Sequence, residues 1–249
     1  MIKAIVTGHS KGLGAALAAD LLERGTHVLG IARSASQQPP ADGGAARLTE
    51  VSLDMADTAA LAFWLGGDGL RDWLADADTV LLINNAGTVQ PVGPLASQDP
   101  LDVARAVAIN VAAPLMLSAA LVQAMPPGAA CRIVHVSSGA GRNAYPGWSV
   151  YCATKAALDL HASAAAQDDN GNLRIVSLSP GVIDTDMQGQ IRATPIEHFP
   201  LRQRFDALKQ SGELAAPARV ARQLIDYMMS KDFGRDAIAD LRQLKSVRK

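Results

Sequence analysis

Short apolar runs alternate with longer segments of helical periodicity along most of the chain. Runs of this length, bounded by turn residues, are typical of strands in a parallel sheet that is covered on both faces. Seven strands are predicted, at residues 2–6, 27–32, 47–52, 79–83, 131–136, 173–178 and 236–240. The main helices are predicted at residues 13–24, 56–75 (broken at Gly66-Gly67), 101–125, 150–166 and 217–230.

The alternation of strands and helices predicts the fold class. Parallel strands joined by helices form a sheet with helices on both faces. We therefore predict an α/β fold with a single Rossmann-type, doubly wound parallel sheet of about seven strands, in one domain over residues 1–249. Residues 180–214 follow the sixth strand, and we predict that this stretch is irregular and closes over a substrate.

The composition excludes several classes of protein. Of the 249 residues, 49% are hydrophobic and 19% are charged, which suits a large core and differs from disordered chains. A net charge of −1 gives no general reason to expect nucleic acid or an anionic membrane as partner. Two cysteines and five scattered histidines predict neither a disulfide framework nor a metal site. With no signal peptide and no uninterrupted apolar run long enough to span a membrane, we expect a cytoplasmic protein.

Tyr151 and Lys155 are the first pair with catalytic character. If both lie on one helix, their spacing of four residues places the phenol and the ammonium on the same face. A neighbouring cation favours the phenolate, so we expect a tyrosine pKa below its ordinary value of about 10. Such a phenol can donate a proton to a carbonyl or accept one from an alcohol. Neither side chain carries a hydride, so a cofactor is also expected.

The turn after the first strand is the candidate cofactor site. Residues 7–14 read TGHSKGLG, and glycines at this place let a pyrophosphate approach the N-terminus of the following helix. NAD-binding sheets carry an acidic residue at the end of the second strand, where this chain has Ala32, followed by Arg33 and Ser34. Arg33 and Lys11 predict recognition of a 2′-phosphate and therefore NADP(H), unless both are solvated surface charges.

Further polar positions follow the third and fourth strands and interrupt the long helix. Asp54 can accept a hydrogen bond from an adenine amine or cap the next helix, and the two roles are compatible. Residues 84–87 read NNAG, whose small side chains leave room for a nucleoside. Pro114 lacks an N–H, so it releases the backbone carbonyl of Asn110. We expect that carbonyl either to hold a bound water that passes protons or to mark a simple kink of the helix.

In this order and spacing, the motifs resemble those of the short-chain dehydrogenase/reductase family, from residue 1 to about residue 240. The resemblance implies that Ser138, 13 residues before Tyr151, is the catalytic serine and that Ser137 is not. It also implies that Asn110 completes a tetrad with Ser138, Tyr151 and Lys155. The implied cofactor-binding residues are Gly8, Ser10, Lys11, Gly12, Leu13, Gly14, Arg33, Ser34, Asp54, Asn85, Ala86, Gly87, Tyr151, Lys155, Pro180, Gly181, Val182 and Thr185.

A finer resemblance concerns the substrate. The stretch GWSVYCATK is similar to the corresponding motif of sepiapterin reductases, and PGVIDTDMQGQIR resembles bacterial benzil reductases. This implies NADPH-dependent reduction of a small carbonyl compound, either a 1,2-diketone (benzil to (S)-benzoin) or the side-chain carbonyl of a pterin. Asp240 falls where sepiapterin reductases contact the pterin, although a structural role is equally compatible. The expected substrate-contacting residues are Gln90, Tyr145, Trp148, Met187 and Asp240.

Two other functions stay open from the sequence. One is a dehydrogenase that oxidises a hydroxysteroid, sugar or polyol with NAD, which Arg33 and Lys11 argue against. The other is a non-catalytic regulator that binds a nucleotide, which the complete set of catalytic residues argues against. The helices at 101–125 and 150–166 resemble the family's dimer faces, so a homodimer or homotetramer is expected, although an internal core explains the same apolarity.

Overall fold

The computed structural model describes residues 1–36, 47–168 and 171–244, and these residues form the predicted sheet. All strand pairs are parallel, and the strand order is β3-β2-β1-β4-β5-β6-β7. The predicted Rossmann-type α/β fold is therefore confirmed. The strands are β1 (Ile2–Thr7), β2 (His27–Ala32), β3 (Leu48–Ser52), β4 (Thr79–Asn84), β5 (Ala130–Val136), β6 (Leu173–Ser179) and β7 (Ile238–Asp240).

Helices connect the strands at nearly the predicted places. The crossover after β3 is broken at Gly66-Gly67, as predicted. The expectation that 180–214 is irregular is wrong, because this stretch contains two helices. The helices are α1 (Gly12–Glu23), α2 (Thr58–Leu65), α3 (Gly69–Leu74), α4 (Pro100–Val107), α5 (Ala113–Ala124), α6 (Ser149–Ala165), α7 (Asp186–Ala193), α8 (Arg202–Gln210) and α9 (Pro217–Met229).

The sheet separates two hydrophobic cores, one on each face. Successive side chains of a strand point to opposite faces, and β1 shows the consequence. Ala4 and Val6 belong to the core that α1 and α9 cover, which includes Leu17 and Leu224. Ile5, between them, belongs to the opposite core with residues of α2, α3, α5 and α6. This double cover explains why the strands read as continuous apolar runs.

The helical run Pro100–Ala124 contains the proline that the sequence analysis singled out. The backbone between α4 and α5 widens into a π turn over Ala108–Ala112, directly before Ala113 and Pro114. A π turn is a common response to a helix position without an N–H donor. By length and composition this run is long and apolar enough to cross a membrane. In this fold it is a core helix, since α5 buries Leu117 and Leu121 in the second core.

The order of the strands determines where a ligand can bind. From β1 the chain moves to β2 and β3 on one side, and then returns to β4 on the other side of β1. A crevice forms at the carboxyl ends of strands where the order reverses in this way. Candidate residues follow the carboxyl ends of all six strands from β1 to β6, so the topology brings them to one edge of the sheet.

Candidate active site

A cavity of about 850 Å³ lies along this edge of the sheet. The glycine-rich turn and Arg33 line one end, which we call the nucleotide end. Tyr145, Trp148 and Phe205 line the other, which we call the substrate end. Tyr151 and Lys155 lie between the two. Within the described ranges, no group of three His, Cys, Asp or Glu side chains is placed to hold a metal ion.

The glycine-rich turn has the shape that a pyrophosphate needs. Gly8 and Gly12 have φ angles of +68° and +57°, which other residues rarely adopt. A Cβ atom on Gly14 would lie 2.0 Å from the carbonyl oxygen of Gly8, so a side chain there would collide with the turn. Lys11, the N-cap of α1, makes no side-chain capping bond to the described residues. The helix N-terminus can therefore receive an anion, and the residues fit the dinucleotide that the motif implies.

Thr7 and Asn85 hold the turn against the end of β4. The Thr7 hydroxyl accepts hydrogen bonds from the backbone N–H groups of Asn85 and Ala86, both at 2.9 Å. The Asn85 side chain donates in return to the backbone carbonyl of Thr7 at 2.9 Å. Thr7 was not among the predicted site residues, although a hydroxyl at the end of an apolar strand signals such a role. Asn85, predicted to contact the cofactor, shapes the turn through these bonds.

The predicted cations occupy the nucleotide end. Arg33 lines the cavity and is exposed to solvent, and it forms no ion pair with the described residues. Lys11 lies 3.2 Å from a carboxylate oxygen of Asp186, but both side chains are largely exposed. Such a surface pair contributes about 0–1 kcal/mol, so an incoming phosphate can compete with it. Nearby, the Ser34 hydroxyl donates to that of Ser10 at 3.3 Å.

Asp54 also lines the cavity but already has partners. One carboxylate oxygen accepts from Arg105 at 2.8 Å and the other from the Ala56 N–H at 3.0 Å. Burial acts to raise the pKa of this carboxyl, but these two bonds lower it overall. The suggestion that Asp54 caps the next helix is wrong, because Asp57 is the N-cap of α2 and accepts from the Ala60 N–H.

The catalytic candidates meet at the start of α6. The Ser138 hydroxyl and the Tyr151 phenol are hydrogen-bonded to each other. The Lys155 ammonium lies 5.7 Å from the centroid of the Tyr151 ring and donates to the Val136 carbonyl at 2.7 Å. The Ser137 hydroxyl is already engaged by a carboxylate, because it donates to Asp159 at 2.7 Å. Of the two serines, Ser138 is the one bonded to the phenol, and its catalytic role stays a prediction.

Burial controls the titration of both groups. It raises the pKa of Tyr151 to about 12, against the opposing effect of the Ser138 bond. The lowered tyrosine pKa expected from the sequence is therefore wrong for this structure, where burial of the phenol dominates. Burial also lowers the pKa of Lys155 to about 8, while the charge of Asp159 acts to raise it. At neutral pH the pair thus holds a protonated phenol beside an ammonium that gives up its proton more readily than an exposed lysine.

Asn110 holds the loop after β4. Its side-chain amide donates to the Thr88 carbonyl at 2.8 Å and to the Thr154 hydroxyl at 3.1 Å, and its side-chain oxygen accepts from the Thr88 N–H at 2.8 Å. A Cβ on Gly87 would lie 3.2 Å from that oxygen and 3.7 Å from the Lys155 ammonium. These bonds occupy the side chain of Asn110 in positioning the loop. Its backbone carbonyl, in the π turn, is therefore the group of this residue that can take part in a proton relay.

The segment after β6 closes the cavity from the other side. Pro180, Gly181, Val182 and Thr185 all line it, as the resemblance implied. Gly181 has a φ of +86°, and a Cβ there would lie 3.3 Å from the Arg242 side chain. Thr185 contacts the glycine-rich turn, since its Cγ2 lies 3.3 Å from the place of a Cβ on Gly12. The cavity therefore passes between the first turn and this segment.

Aromatic side chains form the substrate end. Tyr145, Trp148 and Met187 line the cavity there, as predicted. Phe199 stacks on Trp148 with 4.5 Å between ring centroids and an interplanar angle of 16°, and Phe205 contacts both rings. The sequence analysis did not single out Phe199 and Phe205, although it predicted that the stretch around them closes over the substrate. Their only signal was that they are the two phenylalanines in the stretch 180–214.

Two residues predicted to contact the substrate do not line the main cavity. The Gln90 side chain turns back and accepts from the backbone N–H of Val92 at 3.1 Å, outside the lining of the main cavity. Asp240 forms an ion pair with Arg242 and lines a separate, smaller cavity. Arg242 lines the main cavity in its place. The pairing of the two residues is local, and their spacing of two positions was the available signal.

Comparison with known proteins agrees with this site. Residues 3–196 match the family described as short chain dehydrogenase. The chain is 33% identical over 240 residues to a benzil reductase ((S)-benzoin forming) of Bacillus cereus, over 92% of this chain and 94% of that protein. It is 32% identical over 249 residues to the sepiapterin reductase of Meriones unguiculatus, over 95% and 94% of the two chains. A crystal structure of a short-chain dehydrogenase/reductase from Burkholderia vietnamiensis is 52% identical, with a TM-score of 0.71 over 98% of each chain. The chain therefore belongs to the short-chain dehydrogenase/reductase family of NAD(P)-dependent oxidoreductases.

Proposed function

We propose that this protein is an NADPH-dependent carbonyl reductase that acts on ketones of the 1,2-diketone type. One observation carries the proposal: a buried phenol, hydrogen-bonded to a serine and close to a lysine, faces a cavity large enough for a dinucleotide and a substrate. The benzil reductase of Bacillus cereus supports the substrate class. The raised tyrosine pKa supports the reductive direction, since a protonated phenol is the form that a reductase requires.

Each catalytic residue has a distinct role in the proposed reaction. The nicotinamide cofactor, when bound, supplies the hydride for the carbonyl carbon. The Ser138 hydroxyl donates a hydrogen bond to the carbonyl oxygen and stabilises the negative charge that develops there. The Tyr151 phenol then donates its proton to that oxygen. Lys155 returns a proton to the phenol, and the Asn110 carbonyl holds the relay water.

The nucleotide end supports NADPH over NADH in this proposal. The position after β2 that is acidic in NAD-binding sheets holds Ala32, so no carboxylate repels a phosphate there. Arg33 follows it and is exposed at the cavity. Its planar guanidinium can bind a 2′-phosphate through two parallel hydrogen bonds. Lys11 would add a second positive charge, while Gly8, Gly12 and Gly14 would hold the pyrophosphate.

The proposal extends to the domain and its assembly. We propose one domain over 1–249, with 180–214 as a lid, because α7 and α8 contribute Met187, Ile191 and Phe205 to the substrate end. We also propose a homodimer or homotetramer. Leu101 on α4 and Leu160 on α6 are 80% and 72% exposed, and a partner subunit would cover such apolar side chains.

The substitution Tyr151→Phe tests the function. It removes the proton donor and leaves the ring, so the reduction of benzil should slow by about 10²–10⁴-fold while the affinity for NADPH is unchanged. NADPH absorbance follows turnover, and calorimetry measures binding. Tyr145→Phe is the matched control, because this second tyrosine lines the same cavity and should retain most of the turnover. A near-normal rate in Tyr151→Phe would contradict the assignment.

A further inference from the structure

Asp240 and Arg242 form an ion pair beside the main cavity. The guanidinium Nε donates to one carboxylate oxygen at 2.9 Å and Nη2 donates to the other at 2.6 Å. The backbone N–H of Arg242 adds a third bond to Asp240 at 3.0 Å. The Asp240 side chain is only 10% exposed, whereas that of Arg242 is 62% exposed. Both carboxylate oxygens are therefore engaged and the side chain is largely covered, so it can offer little to a ligand.

The ion pair has a direction. Arg242 lines both the main cavity and a smaller one of about 540 Å³, whereas Asp240 lines only the smaller one. Gly181 gives the arginine its place, because a Cβ there would lie 3.3 Å from the Arg242 Cδ atom. Tyr145, at the substrate end, is also close enough for its phenol to affect the pKa of Arg242. The positive member of the pair thus faces the substrate end.

The charges around the cavity leave the arginine unsatisfied on that side. A guanidinium has five N–H donors, and Asp240 takes two of them. The remaining donors make no hydrogen bond to the described residues. Among those residues, the carboxylates that line the main cavity are Asp54 and Asp186, and both pair with cations at the nucleotide end. The substrate end of the main cavity therefore holds no carboxylate of the described residues that could accept from these donors, whereas Asp236 and Asp240 line the smaller cavity.

We propose that Arg242 is a specificity-determining residue that binds an acceptor oxygen of the substrate, either a second carbonyl or a carboxylate. The inference rests on the proposed carbonyl reductase function and narrows it to ketones that carry such an oxygen. Asp240 is a positioning residue that holds the guanidinium from behind. The expected class includes 1,2-diketones and 2-oxo acids. Ketones with no further oxygen lack the contact, and Asp240 is not available to ligands that present N–H donors.

Benzil and deoxybenzoin provide the test, because deoxybenzoin replaces the second carbonyl of benzil with a methylene group. Arg242→Leu should lower kcat/KM for benzil and for benzoylformate by about tenfold to a hundredfold, the usual effect of losing a hydrogen bond to a charged group. For deoxybenzoin the change should be less than about threefold, since that ketone has no second acceptor oxygen. Equal losses for benzil and deoxybenzoin, or no loss for either, would overturn the proposal.

Two further variants separate recognition from folding. Arg242→Leu leaves the covered carboxylate of Asp240 without its cation. The double variant Asp240→Asn/Arg242→Leu removes that charge as well. It should show the same selectivity change with an unaltered melting temperature. Arg204→Leu is the matched control. Arg204 is an exposed arginine that also lines the main cavity, and its loss should not distinguish benzil from deoxybenzoin. If Arg204→Leu shows a selectivity change of the same size, the general positive charge of the cavity explains the result for Arg242→Leu.

A binding measurement keeps the inference separate from the proposed function. Calorimetry with benzoylformate and NADP⁺ needs no turnover, and Arg242→Leu should bind benzoylformate at least tenfold more weakly than the unmodified protein. If no ketone is reduced but this difference is found, the reductase proposal fails and the role of Arg242 stands. If benzoylformate binds equally to both, or to neither, the role of Arg242 is wrong.

Discussion

The two ends of the cavity differ in how their polar groups are satisfied. At the nucleotide end, Thr7 and Asn85 bond to each other, and the backbone of the glycine-rich turn is held against β4. At the substrate end, the indole N–H of Trp148 and the side-chain oxygen of Gln188 are buried without a hydrogen-bond partner among the described residues, and both residues line the cavity. In the glycine-rich turn Nδ1 of His9 is also buried without such a partner, but His9 does not line the cavity. Buried polar groups normally have partners, so such atoms mark a place where a ligand or water belongs.

This difference indicates how each end recognises its ligand. The nucleotide end is built from backbone shape, which tolerates almost no added atom and requires glycine at fixed positions. The substrate end is built from side chains just before α6 and on α7 and α8, and two of its buried polar atoms have no partner among the described residues. We therefore expect substitutions at the first end to act on cofactor binding and folding, and those at the second to act on specificity.

The largest effect is expected for Gly14→Ala. The new methyl group would lie 2.0 Å from the Gly8 carbonyl oxygen and 2.6 Å from the Asn85 amide, so the turn must move. Overpacking of this kind costs about 1–3 kcal/mol of folding stability. The displaced helix N-terminus should also weaken NADPH binding by more than about a hundredfold, since those N–H groups hold the pyrophosphate. Denaturant unfolding and calorimetry measure the two effects, and a variant with normal NADPH affinity would contradict this account of the turn.

The same difference explains how far the sequence could predict the molecule. Most strands are short apolar runs, and the glycines of the first turn lie within eight residues of one another. Local sequence patterns therefore predict both the sheet and the nucleotide end. Phe199 stacks on Trp148, which lies about fifty residues earlier in the chain, and no local sequence pattern predicts that contact. Gln90 follows the fourth strand, where ligands bind in such sheets, but its side-chain oxygen accepts from the backbone N–H of Val92. The tyrosine pKa also depends on burial, which spacing alone does not reveal.

The next effect concerns the choice of cofactor. Arg33→Ala should weaken NADPH binding by about tenfold and leave NADH binding nearly unchanged, because only the former carries a 2′-phosphate. Lys11→Ala is the matched variant, and we expect a smaller loss because its ammonium already pairs with Asp186. Titrations of each variant with NADPH and with NADH measure the ratio of the two affinities. If Arg33→Ala weakens NADH and NADPH equally, the arginine stabilises the loop and does not read the phosphate.

Lys155 lies between the two ends, and its ionisation should set the pH profile. Burial lowers its pKa to about 8, so the ammonium that resupplies Tyr151 is lost as the pH rises through that value. Tyr151, with its pKa raised to about 12, stays protonated throughout this range, as the neutral donor that reduction needs. The rate of ketone reduction should therefore fall about tenfold per pH unit above the break.

The groups that face Lys155 provide the control for this profile. His135 on β5 stays neutral across the range, since burial lowers its pKa to about 3. Asp159 acts to raise the pKa of Lys155, so Asp159→Asn should move the break to lower pH. Steady-state rates from pH about 6 to 10 locate the break in both proteins, a range that includes the value for Lys155 and excludes that for Tyr151. A profile that is flat across this range would place the limiting proton transfer on another group.

The smallest effect is expected for Gly189→Ala, at the substrate end. Gly189 lies within α7, and a Cβ there would meet no atom of the described residues within 4 Å. Alanine favours a helix over glycine by up to about 1 kcal/mol, so the variant should be slightly more stable. The affinity for NADPH should stay unchanged, in contrast to Gly14→Ala, which adds the same methyl group at the nucleotide end. A destabilised Gly189→Ala protein would mean that α7 packs more tightly than the structure shows, and the contrast between a backbone-built and a side-chain-built end would not hold for this helix.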